Sequence, residues 1–135
     1  MSDIYITGVG MTKFGRHIER SYKDLVREAV EQALTDAGAE LEQVKQAYFA
    51  SCVIGFMQGQ HMIPGQVALR SMGFQSIPIF NIEGACASSS TALHLAAMAI
   101  KSGSCDIAIA VGAEKMINED KAKMFAAFDS AWDVS

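Results

Sequence analysis

The sequence has 135 residues, which is enough for one domain with a substantial core, and half of them are hydrophobic while 19% are charged. The formal net charge is −4 and no basic cluster occurs, which argues against nucleic acid and anionic membranes as partners. The longest apolar run, residues 107–113, is too short to span a bilayer, and no signal peptide is visible. The three cysteines lack the spacing of a metal site, so a reduced, cytoplasmic setting is expected.

The N-terminal stretch, residues 4–11, predicts a first strand because it is β-branched and apolar before it meets glycines. Gly8 and Gly10 invite comparison with a dinucleotide-binding loop. Lys13 occupies the place of the third glycine, however, and no helix begins directly after it. We therefore interpret these glycines as positions of close backbone packing in a strand.

A helix is predicted to begin after Ser21, a good N-cap residue, with Asp24 placed to complete a capping box. Apolar residues then recur at three- and four-residue spacing up to Ala37, and Gly38 ends the helix. Most of the charged residues lie off this apolar stripe, which is typical of an amphipathic surface helix.

The next segment, residues 46–54, predicts a second strand in which Cys52 is a core or strand-end cysteine. A loop over residues 55–65 and a short helix over residues 66–71 follow. Loops after strands of an open α/β sheet commonly carry binding sites, although ordinary loop chemistry is the favoured interpretation here.

The central stretch combines a short predicted strand, residues 78–82, with residues 91–100, which are apolar or small almost all round and predict a buried helix. Gly84 is a turn residue, and Cys86 follows it at the start of the helix. The partial positive charge and unpaired N–H groups of a helix N-terminus favour the thiolate and can hold the oxyanion of an acyl thioester. An activated cysteine and a buried structural cysteine both fit this position.

A nucleophilic cysteine needs a base or a positive neighbour, and the sequence offers three histidines. His94 lies on the same predicted helix, about 12 Å along its axis from Cys86, so it is expected to pack or cap inside the fold. His17 and His61 approach Cys86 only if the fold brings them there, and His61 is the better candidate. The absence of a convincing base suggests that the missing groups lie on another segment or another chain.

The last part of the chain contains a nearly continuous apolar run, residues 106–112, which is typical of a strand buried on both faces. Residues 124–134 have no clear period and predict a loop or weak helix that holds Trp132. The resulting order, β-α-β-α-β-α-β, predicts a parallel α/β sheet with right-handed crossovers.

Three ordered blocks resemble the thiolase family, above all the sterol-carrier-protein-type thiolases. Residues 81–88 resemble the nucleophile region, residues 4–15 the first strand and its loop, and residues 106–116 the strand that ends in Gly-x-Glu-x-Met. Residues 55–73 are similar to the thiolase segment that meets the partner subunit. The cysteine block alone would also admit ketosynthase relatives.

The resemblance implies a thiolase-like α/β fold, with the N-terminal half represented by parallel strands and a buried nucleophile helix. Residues 1–112 would form an incomplete half-domain, and residues 113–135 would begin the loop or insert region. Cys86 would be the catalytic nucleophile, and its N–H would contribute to an oxyanion hole. A homodimer or a dimer of dimers is implied, with residues 78–82 at the two-fold axis.

The chemistry that the resemblance implies is acyl transfer between Cys86 and coenzyme A. Cys86 would take an acyl group from a 3-ketoacyl-CoA or acetyl-CoA, and coenzyme A or a second CoA ester would accept it, in thiolytic cleavage or Claisen condensation. Coenzyme A and acyl-CoA would be substrates. No tightly bound cofactor and no metal are expected, and the residues that bind coenzyme A stay unassigned.

Two departures from the family pattern matter. Ser89 stands where thiolases usually have glycine, and the surrounding small polar run leans toward condensing enzymes. The family's Gly-His-Pro histidine and second catalytic cysteine are missing, so this chain alone is expected to be inactive and to need a chain or segment that supplies them. A ketosynthase-like or CoA-ester lyase relative, and a non-catalytic partner-binding fragment with large exposed apolar patches, are the alternatives.

Overall fold

The computed structural model describes residues 3–133 and 135, and Met1, Ser2 and Val134 lie outside the described residues. The helices and strands, in chain order, are α1 (Tyr22–Ala37), β1 (Gln46–Ala50), α2 (Ile54–Gln58), α3 (Pro64–Arg70), β2 (Ile79–Ile82), α4 (Ser88–Lys101), β3 (Ala108–Gly112) and α5 (Lys121–Asp129). The strands form one parallel sheet in the order β2-β1-β3. The predicted parallel α/β architecture is therefore confirmed.

The sheet is covered by helices on both faces, and β1 lies at its centre. Its alternating side chains divide the core in two, because successive residues of a strand point to opposite faces. Phe49 is fully buried among residues of α1 and α3, such as Val26 and Leu69. Tyr48 packs on the other face against the alanines of α4, including Ala92 and Ala96.

Helix α1 forms where the sequence predicts it. The Ser21 side chain accepts the N–H of Asp24, and the Asp24 carboxylate accepts the N–H of Ser21, which completes the capping box. The hydrogen bond from the Ser21 hydroxyl is the main reason that the pKa of Asp24 lies below its ordinary value. Gly38 ends the helix in the left-handed region, with φ of 61°.

Replacement of Ser21 by alanine is expected to lower the free energy of unfolding by about 1 kcal/mol, because the first turn of α1 loses its side-chain acceptor. Ser21→Asn keeps an acceptor at the N-cap and is the matched control, which should retain most of the stability. Urea unfolding of the two variants measures the difference. Equal losses in both variants would show that the cap hydrogen bond is not what stabilises this end.

The predicted first strand is wrong. Residues 4–11 have no regular secondary structure, and the three strands of the described residues do not include this segment. It runs along α1, where Val9 donates its N–H to Asp36 Oδ2 at 2.9 Å and Met11 donates its N–H to Gln32 Oε1 at 3.0 Å. Side chains of α1 thus satisfy backbone groups that a strand would use in a sheet.

The interpretation of Gly8 and Gly10 as positions of close backbone packing is confirmed. A Cβ atom added at Gly10 would lie 2.0 Å from the carbonyl oxygen of Ala29, and one at Gly8 would lie 2.2 Å from that of Ala33. Glycine is therefore required for the segment to approach α1. A groove of about 370 Å³ separates the segment from β3.

The predicted second strand is too long, since β1 ends at Ala50 and α2 begins at Ile54, the last residue of the predicted strand, and continues into the predicted loop. Ile54 and Met57, three residues apart, are 1% and 3% exposed. Met57 joins Ala127 of α5 in a small apolar cluster. Burial of these side chains on one helical face explains why a helix forms where glycines and polar residues predict a loop.

The prediction of a buried nucleophile helix holds for one face of α4 only. Ala92, Ala96 and Ala99 are buried against the sheet, whereas Leu93 is 50% and Met98 is 47% exposed. His94, which is expected to pack or cap inside the fold, is exposed as well. The reason is that no described element covers the outer face of this helix, although its composition is apolar on that side too.

The predicted weak helix at the end of the chain is present as α5, which Asp120 caps by accepting the N–H groups of Ala122 and Lys123. Trp132 follows it and is 76% exposed. None of the helices described is both long and apolar enough to cross a membrane.

Candidate active site

Cys86 lies between β2 and α4, in a single turn of 3₁₀ helix formed by Ala85–Ala87, and it is exposed. This is the strand-to-helix position that the sequence predicts for the candidate nucleophile. The residue before it, Ala85, has φ of 49°. A residue other than glycine occupies this left-handed region only where neighbouring contacts hold it there.

Two side chains hold the backbone of this turn. Glu83 Oε1 accepts the N–H of Ala85 at 2.7 Å. The Ser88 hydroxyl accepts the N–H of Gly84 at 3.0 Å and donates to the carbonyl oxygen of Ala85 at 2.7 Å. Ser88 is only 5% exposed, so its hydrogen bonds are shielded from water.

These bonds leave one N–H group of the turn available to a ligand. The N–H of Ala87 donates to Gly84, and that of Ser88 donates to Ala85, in addition to the two N–H groups bound by side chains. Among the described residues, the N–H of Cys86 donates no hydrogen bond. An unoccupied donor beside the thiol is suited to hold an oxyanion as the thiolate attacks a carbonyl.

Cys86 opens onto a cavity of about 520 Å³ at the carboxyl ends of the strands. The cavity is also lined by His17 from the segment before α1, Cys52 from the connection after β1, and Glu114 from the connection after β3. The carboxyl ends of parallel strands are where ligands bind in open α/β sheets. The fold therefore brings two cysteines, a histidine and a carboxylate to one ligand-sized space.

The histidine at this cavity is His17, not His61, so the preference for His61 from the sequence is not supported. His61 follows α2 and lines a separate cavity of about 340 Å³, which Cys52 and Glu83 also line. His17 Nε2 donates to the carbonyl oxygen of Lys13 at 2.6 Å.

Glu114, which also lines the cavity, fixes the backbone next to Cys52. Its Oε1 accepts the N–H of Cys52, the N–H of Val53 at 3.3 Å and the hydroxyl of Ser51 at 3.2 Å. The carboxylate thus ties the start of α2 to the end of β3. The sequence contained a signal for this residue, since it is the glutamate of the Gly-x-Glu-x-Met ending, but nothing in the sequence predicted its contacts.

The other two cysteines differ from Cys86 in environment. Cys52 is exposed as a residue, yet burial of its thiol raises the pKa to about 11, with the hydrogen bond and the charge of Glu114 adding to the effect. Cys105 is buried, and this burial raises its pKa as well. Both groups are therefore neutral thiols near neutral pH, which makes them weak nucleophiles.

Iodoacetamide at about pH 8 is expected to label Cys86 much faster than Cys52 and Cys105, because only the thiolate reacts. Labelling of Cys52 should rise about tenfold per pH unit until the pH approaches the value of about 11 that its pKa reaches in this structure. Mass spectrometry of the three cysteine peptides over a pH series measures the rates. Faster labelling of Cys52 than of Cys86 at about pH 8 would contradict the assignment of the nucleophile.

Comparison with known proteins places these features in a family. Residues 4–132 match the family described as Thiolase, N-terminal domain. The chain is 36% identical to sterol carrier protein 2 of Gallus gallus over 125 residues, covering 91% of this chain and 22% of that protein. It is 34% identical to acetyl-CoA acetyltransferase of Methanocaldococcus jannaschii over 135 residues, covering 98% of this chain and 34% of that protein.

The fold is similar to that of 3-oxoacyl-[acyl-carrier-protein] synthase III from Aquifex aeolicus VF5. The TM-score is 0.57 at 22% identity, and the match covers 72% of this chain and 30% of that chain. The chain thus spans between a fifth and about a third of the length of the sequence relatives named above, from 22% to 34%. Because the family match extends over almost the whole chain and the fold agrees with it, the chain belongs to the thiolase family and corresponds to its N-terminal domain.

Proposed function

We propose that the protein is a thiolase-type acyl-CoA C-acyltransferase in which Cys86 is the nucleophile. The observation that carries the proposal is the exposed Cys86 residue with its unoccupied backbone N–H, at a ligand-sized cavity in a chain of the thiolase family. The similarity to an acetyl-CoA acetyltransferase supports acyl-CoA as the substrate class.

In the direction of thiolysis, the Cys86 sulfur attacks the keto carbon of a 3-ketoacyl-CoA and forms a C–S bond, while the carbonyl oxygen becomes an oxyanion. The Cys86 N–H stabilises this oxyanion. Its collapse breaks the bond to the α-carbon, which takes up a proton and leaves as acetyl-CoA. Coenzyme A then attacks the acyl-cysteine, which releases the shortened acyl-CoA and the Cys86 thiolate. Claisen condensation is the reverse sequence.

The groups that move protons in these steps are proposed to come from another segment or another chain, because the sequence lacks the family's Gly-His-Pro histidine and second catalytic cysteine. We accordingly propose that the 135-residue chain alone is inactive. Coenzyme A and acyl-CoA act as substrates in this proposal, with no tightly bound cofactor. The proposed setting is the cytoplasm.

A homo-oligomer that uses β2 as its contact is also proposed. Strand β2 lies at one edge of the sheet, so one side of its backbone is free of strand partners among the described residues. Phe80 of this strand is 45% exposed and stacks on Tyr48 with ring centroids 5.1 Å apart. We also propose that the chain divides into an incomplete half-domain, residues 1–112, and the start of a loop or insert region, residues 113–135. The edge formed by β2 belongs to the half-domain.

A ketosynthase-like enzyme is the second candidate, and Ser89 is the observation that favours it. Thiolases usually have glycine at the position of Ser89. Here a Cβ atom added at Gly112 would lie 2.8 Å from Ser89 Oγ, so the serine side chain fills space beside the end of β3. A CoA-ester lyase relative and a non-catalytic partner-binding fragment complete the alternatives. The exposed apolar side chains of α4 fit the fragment as well.

A comparison of substrates separates these candidates. The protein purified from its native source is supplied either with 3-ketoacyl-CoA and coenzyme A or with acyl-carrier-protein thioesters, and the products are separated by chromatography. The proposal predicts loss of the ketoacyl thioester that depends on added coenzyme A. Turnover of carrier-protein thioesters alone would establish the ketosynthase alternative. Turnover of neither by a preparation that holds a subunit heavier than 14.5 kDa or a second chain would favour the binding fragment.

A further inference from the structure

Glu83 is a charged side chain placed directly before the nucleophile turn, and neither the family match nor the proposed mechanism assigns it a role. Its Oε1 accepts the N–H of Ala85 at 2.7 Å. Hydrogen bonds to an ionised carboxylate are shorter and stronger than those between neutral groups. Glu83 therefore binds Ala85, the residue of the turn whose φ of 49° is unfavourable for any residue except glycine.

The conformation of Ala85 sets the position of Cys86, because the two residues share a peptide bond. If Ala85 relaxed to negative φ, the Cys86 N–H and the thiol would both change direction relative to the cavity. The Ala85 carbonyl is held by the Ser88 hydroxyl at 2.7 Å, and its N–H is held by Glu83. The peptide groups on both sides of this alanine are therefore fixed by side chains.

Glu83 acts on the backbone of the turn through the N–H of Ala85, and among the described residues its carboxylate makes no hydrogen bond with the Cys86 thiol. A direct hydrogen-bonding role toward the thiol is therefore not part of the inference. What remains is the geometric role, in which the acceptor oxygen keeps Ala85 in the left-handed region. An uncharged acceptor of the same shape should fulfil most of that role, through a weaker hydrogen bond.

We propose that Glu83 is a positioning residue for Cys86, which holds the turn in the conformation that presents the thiol and its N–H to the cavity. The inference rests on the proposed function, because it matters for catalysis only if Cys86 is the nucleophile. It also makes a prediction about the thiol itself that requires no acyl transfer.

The test is the rate at which iodoacetamide labels Cys86 in three variants, followed by mass spectrometry over a pH series. Glu83→Ala removes the acceptor and should lower the plateau rate on the order of tenfold, the effect of one hydrogen bond to a charged group. Glu83→Gln keeps a neutral acceptor and should retain most of the rate of the unchanged protein. Glu83→Ala combined with Ala85→Gly should recover most of the rate, because glycine adopts positive φ without steric cost.

The outcomes distinguish the inference from its alternatives. If Glu83→Ala destabilises the chain in urea but leaves the Cys86 labelling rate unchanged, the residue is only structural and the inference fails. A rate that falls equally in Glu83→Gln and Glu83→Ala would overturn the geometric role in favour of the charge. If Cys86 labels no faster than Cys52 in the unchanged protein, the proposed function is what fails.

Discussion

Cys86→Ala is expected to abolish acyl transfer, with a loss of at least about 10³-fold, because no acyl-enzyme forms without the sulfur. The measurement is the rate of ketoacyl thioester consumption by the protein purified from its native host. Cys52→Ala is the matched control, since Cys52 lines the same cavity but is a neutral thiol whose pKa is raised to about 11. This control should keep most of the activity.

The pair of variants separates nucleophilic catalysis from occupation of the cavity. If Cys52→Ala reduces the rate as much as Cys86→Ala, the loss reflects disruption of the shared cavity and not removal of the nucleophile. Retention of the rate in Cys86→Ala would rule out the covalent mechanism. Urea unfolding of both variants checks that neither has lost its fold.

Gly65→Ala is expected to lower the free energy of unfolding by about 3 kcal/mol, an overpacking effect at the upper end of the usual range. Gly65 is buried at the start of α3, and a Cβ atom there would lie 2.6 Å from Phe49 Cβ and 2.8 Å from Asn81 Oδ1. The same Asn81 oxygen accepts the N–H of Gly65 at 2.8 Å, so the added methyl group would displace a hydrogen bond as well.

Urea or thermal unfolding measures this loss, and Gly15→Ala is the matched control. The nearest atom to a Cβ at Gly15 is His17 Nε2 at 4.0 Å, so this variant has room for the methyl group and should unfold like the unchanged chain. A loss of less than about 1 kcal/mol in Gly65→Ala would mean that Phe49 and Asn81 move away from position 65 easily. The contact between α3 and the sheet would then be looser than this structure describes.

The parts of the fold that follow from local patterns could be predicted from the sequence. The ends of α1 depend on a capping box and a left-handed glycine, both of which are visible in consecutive residues such as Ser21, Asp24 and Gly38. The three parallel strands coincide with apolar runs, and Cys86 lies between β2 and α4 as expected. Short-range spacing carries this information, so no tertiary contact was needed to recognise it.

The errors arise where distant contacts decide the outcome. Residues 4–11 have the composition of a strand, but two of their N–H groups donate to Asp36 and Gln32 on α1, more than twenty residues away. The polar and glycine-rich region after β1 contains α2, because Met57 is buried in a cluster with α5. Periodicity within a short window cannot reveal either of these partners.

The candidate site was predictable at its nucleophile and not at its surroundings. Helix position and the family resemblance pointed to Cys86, but the approach of His17 and Glu114 depends on how loops from three strands and α1 converge. The left-handed conformation of Ala85 also escaped the sequence, since alanine gives no local signal for positive φ. The hydrogen bond from the N–H of Ala85 to Glu83 was not predicted either, because no residue pattern specifies it.

The central claim is that Cys86 carries an acyl group, and a mass measurement tests it most directly. The protein purified from its native source is incubated with acetyl-CoA, quenched in acid and digested, and the peptide that contains Cys86 is examined. The account predicts an added acetyl mass on this peptide that disappears when excess coenzyme A is supplied before the quench. An unmodified Cys86 peptide from a preparation that turns over acyl-CoA would contradict it.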